Sequence, residues 1–443
     1  MFVTVNNFLS RFFRVGARFF FALTIIFMPF RLRLVLWTRP FLPIYSDYTD
    51  FLLFVSDITV LFMLGFWASL LMLEPRKLKI GNPMIGFLLF GITFAAWVSV
   101  LGSVDPTITC YHAFRFLFLL LFYLYIVNEV GDVKWVLVPV AIQALIQVPI
   151  AIGQFVEQSS LGLQSFGEYI LDPLILGTSI IPVNGVRVLR AYGLADHPNI
   201  LGGCLAFVLV LLFAVFLYGK KWQSYLAGLV IIPTFLSLLL TFSRSAWVAL
   251  FVAVNFMLIC EILSKRWDGL KRATLLSILI IIVAAPFILN NLSVFGQRVN
   301  SGNIAQDQPM NERAYLLDAG NRLFVENSVM GVGLGASPLA MKLRFENFRI
   351  NYQPPHFTPL LSALETGIFG GGFYLALFLA PVITFFLRWR HYIQHPLALG
   401  AFSLLFAISV VNLFDYYTWM YAPGRLWQWL AWGLYAAVLE QVG

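Results

Sequence analysis

Residues 201–262 read LGGCLAFVLVLLFAVFLYGKKWQSYLAGLVIIPTFLSLLLTFSRSAWVALFVAVNFMLICEI. Three apolar runs, 201–218, 224–240 and 246–262, are separated only by the short polar strings 219–223 and 241–245. A run of roughly 20 apolar residues is long enough to cross the hydrocarbon core as a helix, and helices satisfy their own backbone polar groups there. The segment therefore reads as three consecutive membrane spans joined by tight turns, and 275–289 adds a fourth. The same pattern fills the rest of the 443 residues, which are 60% hydrophobic and only 11% charged. A soluble domain carries roughly 25% charged residues. Soluble enzymes, nucleic-acid binders and disulfide scaffolds are excluded together, and the alternating signal of an outer-membrane barrel is absent. Cys204 and Cys260 sit in apolar runs and Cys110 stands alone near a loop, so no disulfide framework or zinc spacing is present.

The expected fold is an all-α polytopic membrane protein of about twelve spans, forming one integral membrane domain over 1–443. The spans are placed near 15–35, 51–73, 83–101, 112–128, 134–155, 198–218, 223–241, 244–262, 272–290, 358–387, 395–413 and 425–440. Arg11, Arg14 and Arg18 precede an apolar run without an obvious small-residue cleavage site, so the first run is expected to be a retained span. The short basic loops 76–79, Lys134, 220–221, 265–272 and 388–390 fall on one side, which the positive-inside rule makes cytoplasmic. Both termini are then inside. Two long segments, about 156–197 and 291–357, lie outside and are expected to cap a working outer face.

The two faces differ in their cations. The inner side holds Lys77, Lys79, Lys134, Lys220, Lys221, Lys265 and Lys271. The outer side holds Lys342 and thirteen arginines: Arg31, Arg33, Arg39, Arg115, Arg187, Arg190, Arg244, Arg298, Arg313, Arg322, Arg344, Arg349 and Arg425. A guanidinium forks onto phosphate or carboxylate with two parallel hydrogen bonds, which an ammonium cannot do. An outer anionic ligand, such as a phosphate-bearing lipid, accounts for this excess. Headgroup anchoring plus ion pairs to Asp307, Glu312 and Glu326 accounts for it as well.

Four strings carry candidate chemistry. In the first, Arg190 is followed by Gly193, Asp196, His197, Pro198 and Asn199. Pro198 is placed to open a helix with His197 or Asp196 at its cap, and a helix N-terminus favours an anion. In the second, Arg244 is lodged between two apolar runs, where a cation needs a partner, a polar cavity or a route to the headgroups. The third runs from Arg313 through Asp318 and Arg322 to Gly331-Val-Gly-Leu-Gly335. Residues 311–326 are expected to form an amphipathic helix with Ala314, Leu317 and Phe324 among its apolar positions, and the glycines a tight turn after it rather than a nucleotide loop. In the fourth, His356 stands where the chain re-enters the membrane, followed by Glu365, Gly367 and Gly370 in an apolar segment. Histidine is the usual proton carrier near neutral pH, although a lone histidine also serves as interfacial filler.

In this order the strings resemble the O-antigen ligase and O-antigen polymerase superfamily. The matching residues are Arg190-x-x-Gly193 with Pro198-Asn199, Ser243-Arg244, Arg313 before Gly331-Val-Gly333, and His356 with Glu365-x-Gly367-x-x-Gly370. Phe357 stands where family members commonly have Asn, and the spacing from Arg322 to Gly333 fits a polymerase pattern. The resemblance implies a GT-C-like enzyme of the bacterial inner membrane with its active site facing the periplasm. Such an enzyme transfers a glycan from undecaprenyl pyrophosphate to an acceptor hydroxyl, on lipid A–core for a ligase or on a growing polysaccharide for a polymerase. It implies His356 as catalytic base, Arg190, Arg244, Arg313 and Arg322 as pyrophosphate ligands, and Glu365, Gly367 and Gly370 as support. No Asp-x-Asp motif occurs, so no metal or other cofactor is expected. The rival class is a transporter of anionic lipid-linked glycan.

Overall fold

The computed structural model describes the chain apart from residues 1, 300–303, 347, 349 and 443, and describes the backbone only for 2–6, 299, 304–311, 441 and 442. Arg349 and the side chain of Asp307 therefore lie outside the described residues. Helix α1 (Phe2–Phe27) leads into an antiparallel hairpin of β1 (Arg33–Trp37) and β2 (Phe51–Phe54), with Arg33 opposite Phe54. Helices α2 (Val55–Leu73), α3 (Pro83–Val98), α4 (Pro106–Glu129) and α5 (Lys134–Glu157) follow. A second hairpin, β3 (Ile180–Val183) with β4 (Val186–Leu189), precedes α6 (Pro198–Tyr218), α7 (Lys221–Leu240), α8 (Arg244–Leu263) and α9 (Trp267–Asn290). The second long segment carries α10 (Leu292–Val299), α11 (Ile304–Glu326) and α12 (Ser337–Arg344). The chain ends with α13 (Thr358–Leu387), α14 (Trp389–Tyr392), α15 (Pro396–Asn412), α16 (Tyr417–Met420) and α17 (Ala422–Val442).

Helix starts follow local chemistry. The Asn82 side chain accepts from the backbone N–H groups of Met84 and Ile85, and Asp105 accepts from Thr107 and Ile108. Pro83, Pro106, Pro198 and Pro396 open their helices, where a missing N–H costs nothing.

Among the described residues nine helices, α2–α9 and α13, are long and apolar enough to cross a membrane. The mostly helical polytopic fold is as expected, but twelve spans is more than these criteria give. The expected span at 395–413 is α15, only 17 residues long. The one at 425–440 falls in α17, interrupted by Arg425 and Gln428. The one at 15–35 falls on α1, which ends at Phe27, so that Arg31 and Arg33 belong to the segment of the first hairpin. The two hairpins depart from an all-α reading. Each is only 4 or 5 residues per strand, too short to announce itself by alternation.

Helix α6 is the axis of the bundle. Its residues from Ile200 to Phe213 are all buried, and it packs against α5, α7, α8, α15 and α17. A helix apolar on every side belongs in such a position. Its N-terminus opens toward the end of the bundle where the hairpins and α10–α12 gather, and that end holds the candidate site.

Candidate functional site

The loop 190–197 is drawn inside by α5. Gln147 Oε1 accepts from the Leu194 N–H at 2.9 Å, and Gln154 Oε1 accepts from those of Tyr192 and Gly193 at 3.1 and 2.8 Å. Gln143, Gln147 and Gln154 recur at helical spacing on the buried face of α5, so an apolar span carries a polar rail for a loop backbone. On that rail Arg190 is buried and fully clasped. Its Nε donates to the Thr241 carbonyl at 2.8 Å, Nη1 to Ser179 Oγ at 2.8 Å, and Nη2 to Asn199 Oδ1 at 2.6 Å. Asn199 Nδ2 in turn donates to Asp415 Oδ2 at 2.9 Å. His197 caps α6, its Nδ1 accepting from the Asn199 N–H at 3.1 Å.

The contact with Thr241 matters because α7 and α8 meet there. Helix α7 ends at Leu240, Phe242 takes a left-handed φ of 48°, and Ser243 leads into Arg244 as the first residue of α8. Arg190 thus pins the turn that sets the base of the Arg244 side chain. Arg298, on α10, reaches the same turn and donates Nε to the Phe242 carbonyl at 2.8 Å.

Helix α11 brings the next arginine. Its buried side chains are Leu316, Ala319 and Leu323, with Gly320 between them, while Ala314 and Leu317 are exposed and Phe324 half-buried. The inward stripe is therefore displaced from the expected one. Arg313, one turn before Leu316, continues the buried stripe. Arg322 lies nine positions further on, about 180° around the helix at 100° per residue. It is exposed and pairs with Asp318 at 2.8 Å, away from the other arginines, which corrects its expected membership of the cluster. Gly320 allows the helix to lie against the loop before α13, since a Cβ there would stand 3.0 Å from Pro355 Cγ.

That loop presents His356. Its ring stands edge-on to Tyr416 with centroids 4.7 Å apart, and its buried Nδ1 has no hydrogen-bond partner among the described residues. Burial, and then the positive charge of Arg313, push its pKa down to about 3. Asp415, buried beside Tyr416, feels Arg313 and Arg190, while Thr358 Oγ1 fastens its carbonyl at 2.7 Å. Burial raises the Asp415 pKa, against the pull of Arg313 and of the Asn199 hydrogen bond.

Electrostatic coupling identifies the group as a cluster. Arg190 has a pKa well below the ordinary value, through burial first and then Arg298, with Arg313 contributing. Arg298 is held down to about 10 by burial, Arg244 and Arg313. His197 feels Arg190, His356, Arg298 and Arg313 together. The outer arginines now divide. Arg31 and Arg33 pair with Asp196, Arg39 with Asp105, Arg115 with Asp57, Arg322 with Asp318 and Arg344 with Glu326. Among the described residues Arg187, Arg190, Arg244, Arg298, Arg313 and Arg425 have no carboxylate within ion-pair distance, and of these Arg190, Arg244, Arg298 and Arg313 form the coupled group. Several like charges held together with no direct ion pair, and with Asp415 as the buried carboxylate that acts on them, are what an anion-binding site requires.

Glu365 has a different place. Its oxygens accept from the Gly335 N–H at 2.9 Å, Ser337 Oγ at 2.7 Å and Trp419 Nε1 at 2.7 Å, so its hydrogen bonds are spent on the glycine turn and α16 rather than on His356. The turn docks on α13 by backbone pairing. The N–H groups of Val332 and Gly333 donate to the carbonyls of Leu364 and Glu365, and that of Ile368 to Ser328. Gly367, at φ 73°, is the non-helical break in α13 that accepts this turn, and a Cβ there would strike the Val329 carbonyl. Gly370 is buried one turn on, where it lets α13 approach Ala95 of α3. The residues missed by sequence reasoning are Arg298, Asp415 and Tyr416. Only the outer position of Arg298 in the chain hinted at it.

Residues 229–375 match a protein-family model described as Wzy_C, O-antigen ligase. The matched range holds Arg244, Arg298, Arg313 and His356, whereas Arg190 and Asp415 lie outside it. No curated protein matches the chain.

Proposed function

We propose, taking the O-antigen ligase domain over residues 229–375 as premise, that the chain is a metal-independent, inverting glycosyltransferase. It transfers a glycan from undecaprenyl pyrophosphate to an acceptor hydroxyl on lipid A–core. One observation carries this reading: four arginines without carboxylate partners converge beside a histidine whose Nδ1 is unpartnered. The acceptor oxygen attacks the anomeric carbon while its proton passes to His356. The bond from that carbon to the pyrophosphate oxygen breaks, and the pyrophosphate leaves as an anion. Such a leaving group needs charge rather than a proton, and Arg244, Arg298 and Arg313 supply it with Arg190 as their fixed base. The prenyl tail lies in the apolar cleft of about 440 Å³ between α6, α7, α8 and α9, where Trp247 stands one turn along α8 from Arg244. The outward placement of Arg322 favours a ligase over the polymerase suggested by its spacing to Gly333.

The finer topology belongs to the same reading. Helices α1, α15 and α17 also cross the inner membrane, giving twelve spans, cytoplasmic termini and a periplasmic site. The deciding assay uses purified protein with lipid-linked donor and lipid A–core acceptor. His356→Ala should abolish transfer while donor still binds, and a wild-type rate in that variant would refute the base. Chelation by EDTA should leave the wild-type rate unchanged. Donor passage across vesicles without glycosidic transfer would instead establish a transporter.

A further inference from the structure

A second basic feature lies outside the cluster around His356. Between α2, α4 and the start of α17 runs a groove of about 590 Å³, lined by Phe51, Leu61, Phe114, Phe118, Arg115 and Arg425 among others. Leu61, Phe114 and Phe118 are exposed on the lipid-facing side of the bundle. Asp57, Arg115 and Arg425 are the charged residues of its wall. Arg115 is held by Asp57 at 2.9 Å, by the Tyr111 hydroxyl at 2.6 Å and by the Leu52 carbonyl at 2.9 Å. Arg425 is almost wholly buried. It donates Nε to the Trp419 carbonyl and Nη1 to His112 Nδ1 at 3.0 Å, while its Nη2 has no partner among the described residues. A guanidinium cannot accept, so His112 is the neutral acceptor in that bond.

The groove wall therefore carries two guanidiniums against one carboxylate, Asp57. Glu365 is the other nearby acid. It is not part of the groove; its charge reaches Arg425, but its oxygens are filled by Gly335, Ser337 and Trp419, so it leaves the Arg425 Nη2 without a hydrogen-bond partner. An apolar groove open to lipid, with an unpartnered guanidinium N–H group of Arg425 in its wall, matches a ligand with apolar chains and a single negatively charged acceptor. It does not match the doubly charged pyrophosphate assigned to the arginine cluster, and no arginine of that cluster lines it.

We propose that this groove is a binding site for a monoanionic phosphodiester lipid, its phosphate at Arg425 and Arg115 and its chains against Leu61, Phe114 and Phe118. The site stands independently of the glycosyltransferase reading. The test is native mass spectrometry of the purified, delipidated full chain titrated with phosphatidylglycerol, with phosphatidylethanolamine of the same chains, and with inorganic phosphate. Phosphatidylglycerol should bind at least about tenfold more tightly than the zwitterionic lipid, whose headgroup ammonium the same guanidiniums repel. Inorganic phosphate should not displace it. Arg425→Gln should erase the preference, and Leu61→Trp, a substitution at an exposed lining position that fills the groove while leaving both arginines in place, should remove binding of both lipids. Equal binding of the two lipids, displacement by phosphate alone, or unchanged binding in Leu61→Trp overturns the proposal. The last variant decides even if Arg425→Gln fails to fold.

Discussion

As the proposed base, His356 is under an unusual constraint. Held down to about 3 by burial and Arg313, the imidazole is neutral throughout the physiological range, so it is always available but intrinsically weak as a base. Under the proposed mechanism a bound pyrophosphate offsets the field of Arg313, the lesser cause of that shift after burial, and so raises the pKa and strengthens the base when donor is present. The sign is testable. The profile of kcat/KM, which reports free protein, should show no loss of activity near 6.5, where an ordinary histidine takes up its proton. The profile of kcat, which reports the donor-loaded state, should show an acid limb at higher pH than that of kcat/KM. Coincident limbs would remove this role for Arg313. The two arginines of α11 offer a sharper contrast. Arg313→Gln should cost about 1.5–3 kcal/mol of transition-state stabilisation, the worth of a charge-assisted bond, read from kcat/KM with saturating acceptor. Arg322→Gln breaks only an exposed pair with Asp318 and should change the rate and the stability by less than about 0.5 kcal/mol.

Elements place these residues in ways that motif spacing reveals only in part. The strings around Arg190, Arg244, Arg313 and His356 were legible because cations and a histidine are conspicuous in apolar sequence. Pro198 and His197 announced the start of α6 through capping chemistry. Which face of α11 turns inward was not legible, because its mixed composition supports more than one stripe, and tertiary packing against Pro355 chose the one through Gly320. Asp415 and Tyr416 were invisible for another reason. They lie in the short link between α15 and α16, and they join the site only because Asn199 and Thr358 hold Asp415 from distant elements. The glutamine rail on α5 could have been found from its helical periodicity, as could its demand for a polar backbone partner. The break in α13 yields a prediction at this scale. Gly367→Ala places a Cβ at φ 73° against the Val329 carbonyl, so it should destabilise the protein by at least about 1–3 kcal/mol and lower its melting temperature in detergent.

For the whole molecule, the scarcity of charge made the class legible, while the number of spans depended on helices at the edge of the length and hydropathy criteria, and the orientation is a proposal from the placement of lysines. Sidedness can be measured directly. Cys204 and Cys260 are buried, which keeps their background labelling low once Cys110 is replaced by Ser. A cysteine at Arg187 should react with a membrane-impermeant maleimide added to spheroplasts, and one at Lys220 only after permeabilisation. The reverse pattern would invert the proposed orientation.

The pairing between the glycine turn and the break in α13 bears on timing as well as on place. The outer segment that carries Arg313 is stitched by main-chain hydrogen bonds to a buried stretch of α13. This stitching, through residues 328–333, predicts that the helix carrying Arg313 moves with the bundle rather than swinging as a door. A turnover that waits on no swinging segment feels little solvent friction. Raising the viscosity of the medium with sucrose should therefore leave kcat for short glycans almost unchanged, whereas a viscosity-proportional slowing would mean that the cap opens in every cycle.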